Sequence, residues 1–174
     1  GVSTPTQGWL DDVSTDFAIK WMKENRARPF SMVVGYKSPH SPRGGRNLPE
    51  RLRNLYGGET SRPTPNCSVP AIFHKPDPKT GKNPTGLADN AIHLDYLRHV
   101  AGVDENIGRL LAALDEFGLA EDTVVVYTSD NGYYLGEHGL GDKRSAYEES
   151  IRIPLLVRYP RVVRAGLLID ALAL

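Results

Sequence analysis

Four consecutive apolar residues, Val124, Val125, Val126 and Tyr127, run directly into Thr128, Ser129, Asp130, Asn131 and Gly132. An unbroken, mostly β-branched run without polar alternation suits a strand covered on both faces, as in a parallel sheet. Asp130 and Asn131 stand where that strand should stop. In open α/β sheets, ligands collect beyond the carboxyl ends of the strands. A carboxylate and an amide oxygen at such a place are suitable ligands for Ca²⁺ or Mg²⁺. Taken alone, Asp-Asn-Gly also reads as a turn, because these residues tolerate a positive φ.

The elements around this strand can be read from period and punctuation. Leu10, Val13, Phe17 and Trp21 recur at helical spacing and predict a helix over residues 9–25. Phe30 to Tyr36, centred on Met32, Val33 and Val34, reads as a second buried strand. Pro39 and Pro42 end it, so His40 falls just beyond a strand end, as Asp130 does. Lys37 reads by default as a surface charge.

Residues 43–90 are rich in Gly, Pro, Asn and charge, which marks a long loop segment with one short helix over residues 48–56. Leu97, Val100, Ile107, Leu110, Leu111, Leu114 and Phe117 form an apolar stripe, so residues 93–117 read as the clearest helix. Gly118 fits a left-handed stop after it. Gly102 and Gly108 inside the helix suggest close packing. Residues 153–159 read as a third strand, ended by Pro160. Helices alternating with buried strands predict an α/β fold with a mostly parallel sheet and helices on both faces.

At 174 residues the chain is long enough for one domain with a core. A net charge of zero offers no overall field for nucleic acid, and no apolar run is long enough to span a bilayer. The single cysteine, Cys67, excludes an internal disulfide framework and a Cys-based zinc cluster.

Past Gly132 come Leu135-Gly136-Glu137-His138-Gly139, then Lys143, then Tyr147-Glu148-Glu149 with Arg152 and Pro154. Together with Asp130, Asn131 and the Pro39-His40 pair, this ordered pattern resembles the sulfatase family, within the alkaline-phosphatase-like group. The resemblance covers nearly the whole chain and corresponds to the later half of a sulfatase catalytic domain. It implies that residues 1–174 form a partial domain of that fold. It implies divalent-cation ligands at Asp130 and Asn131, with Ca²⁺ as the metal. Lys143 and His40 would contact the sulfate and serve catalysis. His138 would lie near substrate, with loop structure as its competing role. Tyr147, Glu148, Glu149 and Arg152 would brace the loop that carries Lys143.

Sulfatases obtain their nucleophile from a Cys-x-Pro-x-Arg or Ser-x-Pro-x-Arg segment, whose first residue becomes formylglycine. Val69 and Ala71 stand at the Pro and Arg positions after Cys67, so that signature is absent here. The formylglycine and the remaining metal ligands are therefore expected from a segment outside this chain. The isolated chain is expected not to hydrolyse sulfate esters. The expected partners are a sulfate-ester small molecule or a sulfated sugar, and the missing N-terminal half of the domain, with neither nucleic acid nor membrane. Two alternatives stand beside this: a phosphonate monoester hydrolase or phosphodiesterase of the same superfamily, and a module that binds metal or anion without chemistry. Family members often work outside the cytoplasm, but no targeting segment supports a location.

Overall fold

A computed structural model describes residues 5–40, 47–60, 66, 78–79 and 90–170. In chain order the elements are α1 (Leu10–Asn25), α2 (Glu50–Arg53), α3 (Asn90–Glu116), β1 (Val125–Thr128), β2 (Tyr134–Leu135), β3 (Gly141–Asp142), α4 (Glu148–Ile151) and β4 (Leu155–Arg158). Cys67 and most of the loop-rich segment 43–90 lie outside the described residues.

The two long helices form where their periodicity placed them. The end of α3 is a Schellman stop: Leu119 N–H donates to the Leu114 carbonyl at 2.8 Å and Gly118 N–H to the Asp115 carbonyl at 3.1 Å. Gly118 takes a φ of 69°, the left-handed conformation a glycine adopts without Cβ strain. Gly102 is a packing glycine. A Cβ there would meet the Trp9 ring at 2.4 Å and Leu52 at 2.6 Å, so α3 can approach α2 and Trp9 only without a side chain. Gly108, by contrast, faces open space.

The buried face of α1 differs from the apolar stripe read in the sequence. Asp11, Thr15, Ala18 and Met22 are buried, while Leu10, Phe17 and Trp21 are exposed. These four positions follow helical spacing too, but the stripe opens with polar residues whose groups find partners. On α3 the same substitution occurs. His99 and Asn106 are buried where Leu97 and Val100 stay exposed. The α1–α3 contact is thus polar at one end and apolar at the other. The apolar end gathers Met22, Ala113, Leu114 and Ala120, with Phe30, Met32, Leu110, Leu111, Phe117 and Val125 packed around them.

Arg51 bridges three elements from α2. Its guanidinium bonds Asp12 at 2.8 Å and Glu105 at 2.9 Å. Asn106 adds a bond from Nδ2 to the Asp12 carboxylate at 2.9 Å.

The strands pair as two antiparallel ladders among the described residues. Val125 faces Arg158 and Thr128 faces Leu155 in the β1–β4 ladder, and Tyr134 faces Asp142 in the β2–β3 ladder. The mostly parallel pairing expected from the alternation of elements is not formed between these strands. The reason lies in the connections. The connection from β1 to β4, residues 129–154, is long enough for a crossover but holds no helix beyond the single turn of α4 to lie across the sheet, and β4 returns antiparallel beside β1. Residues 30–36 run extended, as expected for a strand, but join no ladder among the described residues.

β1 was also expected to be covered on both faces. One face, with Val125, meets the helices; on the other, Val126 is 56% exposed and its ladder partner Val157 is 44% exposed. The described residues supply a layer on one side only. No helix of the described residues is long and apolar enough to cross a membrane.

Candidate anion and metal site

The loop after β1 is fastened to α4 by backbone. Gly132 N–H donates to the Ser150 carbonyl at 2.8 Å. A Cβ on Gly132 would stand 2.1 Å from the Glu149 carbonyl oxygen and 2.9 Å from that of Arg152. Neither Asp130, Asn131 nor Gly132 has a positive φ. The glycine is therefore required by close approach of two backbones rather than by a left-handed turn, which removes the physical basis of the plain turn reading.

The amide of Asn131 is oriented by two bonds. Its Nδ2 donates to the Gly132 carbonyl at 2.6 Å, and its Oδ1 accepts from Lys143 Nζ at 2.8 Å. Lys143 Nζ also lies 4.0 Å from Asp130 Oδ2, and the Asp130 side chain is 87% exposed. One ammonium thus stands between the two oxygen donors that the sequence singled out.

Lys143 is itself anchored. Ser150 Oγ, buried, donates to the Lys143 carbonyl at 2.9 Å. The β2–β3 ribbon that leads into Lys143 is pinned by Tyr134, whose hydroxyl donates to the Ser145 carbonyl at 3.1 Å and accepts from Tyr147 N–H at 3.2 Å. Tyr134 is 1% exposed. A nearly dry phenol with its oxygen satisfied makes a rigid post.

His138 sits in the turn of that ribbon with a φ of 54°. Its ring stacks on Tyr147 at 4.1 Å between centroids and meets Tyr134 edge-on at 6.4 Å. Its Nε2 is 3.2 Å from Glu149 Oε2. Tyr147 and Glu149 thereby hold His138, and through it the ribbon. Glu148 lies in the first turn of α4, and Arg152 follows at its end, where its N–H donates to the Glu148 carbonyl at 2.8 Å.

His40 stands in the turn that follows the second extended segment, residues 30–36. Its N–H closes a turn on the Lys37 carbonyl at 3.0 Å, and Lys37 Nζ lies 3.0 Å from His40 Nδ1. An ammonium can only donate, so Nδ1 is the acceptor and the neutral ring carries its proton on Nε2. Lys37 is thus more than a solvated surface charge. The loop is tied to α1 and α3: Asp11 accepts backbone bonds from Lys37 and Ser38, and Ser38 Oγ pairs with His99 Nδ1 at 2.8 Å.

The structure therefore gathers Asp130, Asn131 and Lys143 directly, places His138 against Glu149 in the adjoining turn, and pairs His40 with Lys37. Sequence reasoning passed over Asp11, Thr15, His99 and Ser150. A signal for the first two existed in the polar opening of the Asp11, Thr15, Ala18, Met22 spacing; nothing local marked the others.

The donors at Asp130 and Asn131 match a hard cation in type. The Asn131 oxygen has a second lone pair beyond the one used by Lys143. Two donors fall short of the ~6–8 oxygens that Ca²⁺ takes. No cluster of three or more His, Cys, Asp or Glu side chains that could hold a metal occurs among the described residues.

A family model described as Sulfatase matches residues 2–171. The chain belongs to the sulfatase family. This sulfatase chain is 57% identical over 72 residues to an N-acetylglucosamine-6-O-sulfatase of Bacteroides thetaiotaomicron, covering 41% of this chain and 13% of that protein. It is 31% identical over 180 residues to the iduronate 2-sulfatase of Mus musculus, covering 91% of this chain and 32% of that enzyme. A solved structure holding its substrate D-glucosamine-2-N,6-O-disulfate superimposes with a TM-score of 0.72 at 26% identity, over 92% of this chain and 45% of that one. The α/β, alkaline-phosphatase-like fold is thereby established. The sulfatase chain spans about a third of the mouse enzyme it matches, 32% of its length.

Proposed function

We propose that this chain supplies part of the metal and sulfate site of a sulfuric ester hydrolase. The observation that carries the reading is the Lys143 ammonium poised at 2.8 Å from Asn131 Oδ1 and 4.0 Å from Asp130 Oδ2, beyond the end of β1. Residues 1–174 then form a partial sulfatase catalytic domain.

In this reading Asp130 and Asn131 hold a divalent cation, Ca²⁺ by family, together with ligands from outside the chain. When bound, that cation supplies positive charge that polarises a sulfate oxygen. Lys143 offers a point charge to the sulfate oxygens, where negative charge grows in the transition state. His40, with its proton on Nε2, offers a hydrogen bond to the oxygen of the departing alcohol, where negative charge grows as the bond to sulfur breaks. His138 borders the substrate from the adjoining turn, while its stacking on Tyr147 keeps that turn in shape. The nucleophile comes from elsewhere: Cys67 lacks the Pro and Arg that follow a formylglycine precursor, with Val69 and Ala71 in their places. The substrate class is a sulfate ester. A sulfated amino sugar is favoured, since two of the similar proteins carry glucosamine sulfates in their names.

The test compares this chain with the complete polypeptide that contains it, on an aryl sulfate with and without Ca²⁺. The complete polypeptide turns over and the chain alone does not. Metal-dependent turnover by the chain alone would show that a nucleophile was overlooked. The same polypeptide, given phosphate diesters and phosphonate monoesters, hydrolyses them more slowly than sulfate esters. Asn131 favours that order, because a His at this position is common in the phosphonate-cleaving relatives. Calorimetric titration of the chain with Ca²⁺ and with sulfate addresses the third reading. Tight binding of either without turnover would mean a non-catalytic binding module.

A further inference from the structure

We propose that Asp11 is the positioning residue for the Lys37–His40 loop, setting from α1 the angle at which His40 meets the sulfate ester; this rests on the reading of His40 given above. Asp11 is 0% exposed, in the first turn of α1. A buried carboxylate is costly unless its oxygens are satisfied by hydrogen bonds. Here they are satisfied by the loop itself. Oδ1 accepts from Lys37 N–H at 2.7 Å and Oδ2 from Ser38 N–H at 3.2 Å. Two consecutive amides held by one carboxylate fix the orientation of the peptide between them.

Three further contacts stiffen this grip from both helices. Thr15 Oγ1 donates back to the Asp11 carbonyl at 2.9 Å and also pairs with the Tyr36 hydroxyl at 2.9 Å. Ser38 Oγ pairs with His99 Nδ1 at 2.8 Å, and His99 is buried on α3 beside Trp9. The chain thus approaches His40 along residues 36, 37 and 38, each held by a group on α1 or α3. Beyond them, the His40 N–H bond to the Lys37 carbonyl and the Lys37–His40 side-chain pair pass the orientation to the imidazole. Asp11 touches no reacting atom. Its contribution is geometric, and a misplacement of about 1 Å can cost on the order of 10²-fold in rate.

The test pairs Asp11→Asn with His40→Ala. In Asp11→Asn the new amide NH₂ confronts a backbone N–H that formerly had an acceptor, while size is kept. In the complete polypeptide, Asp11→Asn lowers kcat by roughly 10–100-fold with KM little changed. The double variant is no slower than His40→Ala alone, because both changes remove one function. In this chain, ¹⁵N shifts of the His40 ring report its tautomer, and Asp11→Asn mixes the Nε2–H and Nδ1–H forms. Asp11→Glu serves as a carboxylate control and recovers part of the rate. A kcat per folded molecule equal to wild type in Asp11→Asn, or an unchanged His40 tautomer, overturns the positioning role. Full activity of His40→Ala defeats the reading of His40 instead, and the ring shifts then decide by themselves whether Asp11 sets the loop.

Discussion

Lys143 Nζ donates to Asn131 Oδ1 at 2.8 Å, bridging the end of β3 and the loop after β1. The bond places a positive charge beside the amide oxygen and the Asp130 carboxylate at once. If the ammonium also meets the transferring sulfate, its loss is felt in the transition state more than in binding. Replacing Lys143 by Met in the complete polypeptide is expected to lower kcat by about 10²–10³-fold, the usual cost of removing one such donor. Steady-state kinetics on an aryl sulfate check this, and a wild-type kcat would place Lys143 outside the reaction.

The cation site should be incomplete within this chain. Two oxygen donors, one already bonded to Lys143, leave most of the ~6–8 positions around Ca²⁺ to water. The chain alone is expected to bind Ca²⁺ no tighter than about 10⁻³ M, weaker than dedicated Ca²⁺ loops. Asp130→Ala should abolish what binding there is. Isothermal titration measures both, and a micromolar affinity in the chain alone would mean that further ligands lie within it.

Gly132 and Gly108 should respond oppositely to the same change. Gly132→Ala pushes a methyl to 2.1 Å from a backbone oxygen that cannot swing away. It is expected to destabilise the chain by about 1–3 kcal/mol, the range for overpacking, and to displace Asp130. Gly108→Ala adds a methyl inside α3 with nothing within 4 Å of it. It should stabilise by roughly 1 kcal/mol through helix propensity. Urea unfolding of the two variants provides the comparison.

Acid should loosen the joint between α1, α2 and α3. Partial burial acts to raise the Asp12 carboxyl, but hydrogen bonds from Arg51 and Asn106 outweigh it and hold it below the usual carboxylate range. The unfolded chain therefore binds this proton more readily. The stabilisation is fully present above the unfolded value, near ~4, and is lost as pH falls through the lower folded value. The urea midpoint is expected to drop on acidification below about pH 4, and to drop less in Asp12→Asn. Equal slopes in the two proteins would show that Asp12 makes no such contribution.

The sequence by itself determined the two long helices, the stop at Gly118, the central strand, and the family pattern running from His40 through Asp130, Asn131 and Lys143. Each of these follows from local chemistry: a period, a backbone preference, or an ordered set of residue types. The tertiary structure decided what no window of sequence contains. It turned α1 so that Asp11 and Thr15, rather than Leu10 and Phe17, are buried, since polar groups can lie there once Lys37, Ser38 and Tyr36 arrive to bond them. It showed that Gly132 answers to the Glu149 backbone, and that β4 returns beside β1 in the opposite direction. Partners such as Asp11 and Ser38 are separated by 27 positions. Their pairing depends on where two elements meet in space, and only the packed molecule sets that.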